Sequence, residues 1–68
     1  MSAAARSDLH DVTLVLHHET AQALLVSETG DKRKAVWLPK SQIEFEKRPK
    51  ATVEVIAPEW LLIDKGLL

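Results

Sequence analysis

Short runs of alternating apolar residues, turn signals between them, and a closing cassette from Pro58 to Leu67 predict a mainly β domain. The expected architecture is a small, strongly bent antiparallel sheet or open barrel, SH3-like or OB-like. It should hold four to five strands and one short C-terminal helix. A chain of 68 residues has room for one domain. Residues 1–10 show no apolar periodicity and read as a flexible leader, which leaves 11–68 as the folded unit.

Val12 to Glu19 alternates as a first strand, with Val12, Leu14 and Leu16 on one face and Val15 on the other. His17 and His18 are adjacent in it, so their side chains are expected on opposite faces. Thr20 and Ala21 lie near a tight turn into a second strand, Ala21 to Glu28, which is β-rich through Leu24-Leu25-Val26. Thr29-Gly30-Asp31-Lys32 reverses the chain, because Gly30 can take a positive φ at little cost. Arg33 to Leu38 follows as a third strand, with Val36 and Leu38 facing away from Ala35 and Trp37. These three strands should form an antiparallel meander. Pro39 ends the ladder, since it has no N–H to donate.

From Lys40 to Glu46 the pattern is mixed: Ser41 could begin a short turn, while Ile43 and Phe45 share a strand face. Lys47-Arg48-Pro49-Lys50 reads as a charged loop. Thr52 to Ile56 is a clear late strand, with Val53 and Val55 facing one way.

The cassette that follows carries the marks of a helix. Pro58 suits a first helical turn, where a missing N–H is no loss. Glu59 and Lys65 complement the positive and negative ends of the helix dipole. Gly66 is placed for a left-handed C-terminal cap, with Leu67 for the accompanying apolar contact. About two turns of helix do not hold alone in water, so this one must dock on the sheet. The i, i+3, i+7 spacing nominates Trp60, Ile63 and Leu67 as the docking face.

Composition narrows the function classes. With 46% hydrophobic residues the chain can build a core. The absence of cysteine excludes disulfides and thiolate metal sites and fits a reducing cytoplasm. The longest apolar run, Trp60 to Ile63, is far below the roughly 20 residues needed to span a bilayer. Nor does the N-terminus have the apolar stretch of a signal peptide. A cytoplasmic protein without membrane association is expected.

Three histidines, His10, His17 and His18, do not supply a four-ligand zinc site, so no metal or cofactor is expected. Two glycines, Gly30 and Gly66, cannot make a phosphate-cradling loop. Ser7, Ser27 and Ser41 lack a nucleophile-elbow setting. A domain this small lacks walls for a water-excluded pocket. The expectation is a protein that is not an enzyme, existing as a monomer or weak homodimer.

Net charge is only −1, yet it is segmented: −4 over residues 1–31, +5 over 32–50 and −2 over 51–68. Within the basic middle, Trp37 is the most informative residue. If Val36 and Leu38 are buried, it stands outward among Lys32, Arg33, Lys34 and Lys40 as a partner-binding anchor, since hot spots are enriched in Trp and Arg. Nucleic-acid bases also stack on such rings. In a closed barrel it would instead fill the core. Lys32, Arg33 and Lys34 could join Lys47, Arg48 and Lys50 in one positive patch, or serve only as scattered solubilising charge.

Two stretches, Trp37-Leu38-Pro39-Lys40-Ser41-Gln42-Ile43 and Pro58-Glu59-Trp60-Leu61-Leu62-Ile63-Asp64-Lys65-Gly66-Leu67, carry a resemblance. The chain resembles, over roughly residues 11–68, a group of short bacterial and phage or prophage proteins that pair a W-[IL]-P-K-S-Q segment with a closing P-E-W-L…K-G-L helix. That resemblance implies a phage or mobile-element accessory protein and brings no catalytic residue with it. The expected function is a non-catalytic protein-binding module that blocks a host protein or ribonucleoprotein complex, such as a CRISPR effector. The alternative is a nucleic-acid-associated small barrel that assists phage DNA recombination or replication.

Overall fold

The computed structural model describes residues 9–68. Among these residues five strands, β1 (Leu9–Glu19), β2 (Ala23–Ser27), β3 (Val36–Pro39), β4 (Glu44–Arg48) and β5 (Thr52–Pro58), precede one helix, α1 (Glu59–Asp64). Single 3-10 turns at Lys32–Lys34 and Lys40–Gln42 flank β3. All pairings are antiparallel, and the order across the sheet is β3-β2-β1-β5-β4. The sheet is therefore unclosed, with β3 and β4 as its edges. Among the described residues, no helix is long and apolar enough to cross a membrane.

Strand β1 begins two residues inside the stretch read as a leader: Leu9 pairs with Pro58 and His10 with Ala57. The rest of that stretch lies outside the described residues. The alternation in β1 does what its pattern dictates. Leu14 is buried, and Val12 and Leu16 pack against the same core. Leu24, Val26, Leu38, Val53, Val55 and Ala57 complete the buried face of the sheet.

At the end of β1 the register slips. Leu16 pairs with Val26, but His18 rather than His17 pairs with Leu25, so His17 is an extra residue in a β-bulge. The bulge overrides simple alternation, and the two histidines do not point to opposite faces. His17 reaches Ser27, and His18 meets Trp37, both on the face away from the core.

The third strand is shorter than expected. Asp31 accepts a hydrogen bond from the Arg33 N–H at 2.9 Å, which caps a 3-10 turn where the sequence reads as strand. Gly30 takes φ 92 in the reversal that precedes it. Strand β4 extends through Lys47 and Arg48, so the charged loop shrinks to Pro49-Lys50-Ala51. Lys50 and Ala51 sit at φ 63 and 59, left-handed values that glycine would adopt more easily. Neighbouring bonds hold them: Ala51 C=O accepts from Leu16 N–H at 2.7 Å, and the Thr52 hydroxyl donates to Pro49 C=O at 2.9 Å.

Strand β5 runs directly into α1, with Pro58 one position before the helix rather than inside it. The C-terminal end matches its signal. Gly66 adopts φ 75, its N–H bonds Ile63 C=O at 3.0 Å, and Leu67 N–H bonds Leu62 C=O at 2.7 Å, a Schellman cap. The docking face does not match. Leu61, Leu62 and Leu67 are buried, while Trp60 is 58% and Ile63 55% exposed. Four consecutive apolar residues cannot fix a face by periodicity. The angle at which β5 delivers the helix chooses Leu61 and Leu62 instead, each worth about 1.5–3 kcal/mol of burial.

Candidate functional site

The outer face of the sheet, opposite the core, divides into two halves. On the β2–β3 side, Trp37 pairs with Leu25, which pairs with His18, so one row crosses three strands. Leu38, its neighbour in β3, is fully buried on the other face, and Trp37 is left 43% exposed. The His18 ring stands edge-on to the indole, with centroids 6.2 Å apart at 86°. The ring is thus presented outward with its orientation supported from below.

The floor of this half is tightly bonded. Ser27 is only 1% exposed, and its hydroxyl accepts from Gly30 N–H at 2.8 Å while lying 2.7 Å from His17 Nε2. A serine–histidine pair invites comparison with a nucleophile and its base. Here Ser27 Oγ is enclosed and already bonded on both sides, so the pair fastens the bulge to the loop after β2.

The expected anchor set of Trp37, Lys32, Arg33, Lys34 and Lys40 is partly assembled. Lys32, Arg33 and Lys34 are exposed on the 3-10 turn just before β3, and Arg33 pairs with Asp31 at 3.3 Å. Lys40 departs from the expectation. Its Nζ lies 2.7 Å from Glu19 and 5.6 Å from the Phe45 ring centroid, so its charge is spent on the core side of the molecule. Sequence reading missed Glu19, which also takes Lys47 at 2.9 Å. Hydrogen bonds from Lys40 and then Lys47 hold the Glu19 carboxyl down at about 2.

The two basic clusters belong to different edge strands. Lys32–Lys34 lead into β3, whereas Lys47 and Arg48 lie on β4, the opposite edge in the strand order. Arg48 is occupied by Glu54 and, at 3.3 Å, by Glu46.

The second half of the outer face, on the β5–β4 side, is acidic. Asp11, Glu44, Glu46 and Glu54 share it with Arg48. A hydrogen bond with Glu54 raises the Asp11 carboxyl above its ordinary value, helped by some loss of solvation and by the charge of Glu54. Glu54 is held below its own ordinary value, chiefly by its bond to Arg48. Among the described residues, no group of three or more His, Asp or Glu side chains is arranged to hold a metal ion.

What this surface offers is an exposed indole, exposed cations on the turn that leads into its strand, and a carboxylate field on the other half. Comparison with protein-family models, with curated proteins and with solved structures finds no match for the chain.

Proposed function

We propose that this protein is a non-catalytic protein-binding module of phage origin that inhibits a host protein or ribonucleoprotein complex in the cytoplasm, with Trp37 as its anchor. The observation that carries this reading is the 43% exposure of Trp37 on the outer face of the sheet, edge-supported by His18. An indole held in one orientation loses little entropy on contact, which is what a hot-spot residue needs. The acidic half of the outer face supports a CRISPR effector as the concrete target class. Asp11, Glu44, Glu46 and Glu54 would face the Lys/Arg-lined channel through which such an effector holds nucleic acid.

A second reading draws on the same corner. Trp37 beside exposed Lys32 and Lys34 suits a stacked base and its phosphate. Salt separates the two, because phosphate binding falls steeply as salt rises whereas an apolar anchor responds weakly.

The test is capture of a partner from host lysate, with and without nuclease, beside thermal melting of each variant. Trp37→Ala should melt like the parent and lose about 2 kcal/mol of affinity, some thirtyfold. Unaltered capture by a folded Trp37→Ala variant would reject Trp37 as the anchor.

A further inference from the structure

The two sheet edges differ in what their backbones leave free. In an antiparallel ladder, residues alternate between bonding one neighbour and the other. The bond from Leu16 N–H to Ala51 C=O sets that alternation, so Leu14, Val12 and His10 bond Val53, Val55 and Ala57. Thr52, Glu54 and Ile56 then turn toward β4, where they engage Arg48, Glu46 and Glu44. Phe45 and Lys47 are left with N–H and C=O groups directed away from the sheet. Among the described residues, neither N–H finds a backbone partner in a turn or loop.

Edge β3 is blunted. The bond from Lys40 N–H to Gln22 C=O commits Leu38 and Val36 to β2 and leaves Trp37 outward. On one side of it, the Ala35 N–H is taken by Lys32 C=O at 3.2 Å; on the other, Pro39 has no N–H. That edge offers a single donor, whereas β4 offers two at strand spacing.

We propose that the β4 edge is a self-association surface, where a second copy of this chain pairs antiparallel through Phe45 and Lys47 about a two-fold axis at Glu46. Read against its own reverse, Glu44-Phe45-Glu46-Lys47-Arg48 sets opposite charges together at its two ends. In this register Phe45 of each copy exchanges backbone bonds with Lys47 of the other. On the outer face Glu44 lies opposite Arg48, and the pair occurs twice by symmetry. Glu46 meets its own copy, but each is already beside its own Arg48 at 3.3 Å. Lysine on an edge strand commonly repels a second strand. The Lys47 ammonium is instead drawn to Glu19 at 2.9 Å. Five residues from each copy bury far less than the roughly 800 Å² per partner of a standard interface, so association is weak and concentration-dependent.

The test is sedimentation of the whole protein up to about millimolar concentration, with amide exchange read residue by residue over the same range. The mean mass should rise toward a dimer, and the Phe45 and Lys47 amides should gain protection with concentration while the Trp37 amide does not. Lys47→Pro removes an outward donor without touching the β5 ladder and should abolish association, whereas Lys47→Ala should retain it. Glu44→Arg sets like charges opposite Arg48 and should weaken association at least tenfold. If Lys47→Pro does not fold, Glu44→Arg and the exchange pattern of the parent decide. A parent that stays monomeric throughout would overturn the proposal. So would a dimer whose Phe45 and Lys47 amides gain no protection, since the contact would then lie elsewhere, for instance at Trp60 and Ile63.

Discussion

Lys40 Nζ lies 2.7 Å from Glu19 Oε2, which joins the residue after β3 to the last residue of β1. Lys47, on the other edge strand, approaches the second oxygen of the same carboxylate at 2.9 Å. One side chain on the central strand therefore draws the two free edges toward each other, and the sheet curls without closing.

Acid should loosen this junction. The Glu19 carboxyl is held at about 2 against an ordinary 4.5, so the folded state binds the proton less readily than the unfolded one. The contribution is complete above pH 4.5 and is lost as pH falls through about 2. Melting temperatures of the parent and Glu19→Gln should differ at neutral pH and converge as pH drops across that window. A difference that persists unchanged at the acid end would show that the carboxylate charge is not what matters.

The helix makes an unequal prediction for neighbouring residues. Leu62 is fully buried and Trp60 is 58% exposed. Leu62→Ala should cost about 2–5 kcal/mol, enough to unfold a domain this small. Trp60→Ala should stay within about 1 kcal/mol of the parent. Chemical denaturation of the two variants side by side checks the assignment of faces.

The turn between β4 and β5 stores strain that glycine would relieve. Lys50 and Ala51 both occupy the left-handed region without being glycine. Ala51→Gly should stabilise the fold by about 0.5–1 kcal/mol, the relief of backbone strain exceeding the added freedom of the unfolded chain. A lower denaturation midpoint for Ala51→Gly would contradict the turn geometry.

Ser27 carries the bulge. Ser27→Ala would leave the Gly30 N–H and His17 Nε2 without their shared partner in a confined space. The expected loss is about 1–3 kcal/mol, with faster amide exchange at Gly30. Stability equal to the parent would mean that water replaces the hydroxyl at no cost.

Much of this was legible beforehand, and the limits have physical causes. Strand faces could be read because Val12, Leu14, Leu16, Val53 and Val55 recur at every second position, interleaved mostly with polar residues, along half-buried strands. The cap at Gly66 could be read because its signal is local. The face of α1 could not, since Trp60-Leu61-Leu62-Ile63 is apolar on every side and only the direction of β5 decides. Whether Trp37 faces outward or fills a closed barrel could not be read, since the outward setting required Val36 and Leu38 to be the buried face and only strand order removes closure. Lys40 was assigned to the anchor because it is near Trp37 in sequence; its partner Glu19 is 21 residues away, beyond any local pattern.

The extra residue at His17 has a consequence for how this chain can vary. Before the bulge, even-numbered positions of β1 face the core; after it, Glu19 pairs with Leu24 on that side while His18 joins Leu25 on the other. Delete His17 and the ladder becomes regular: His18 still meets Leu25 and Glu19 still meets Leu24, so both keep their faces and only the contact with Ser27 goes. The junction that curls the sheet and the aromatic pair on its back are thus independent of the extra residue, which serves the loop after β2. A one-residue shortening at this point is therefore a change of length that the sheet can absorb without exchanging its two faces.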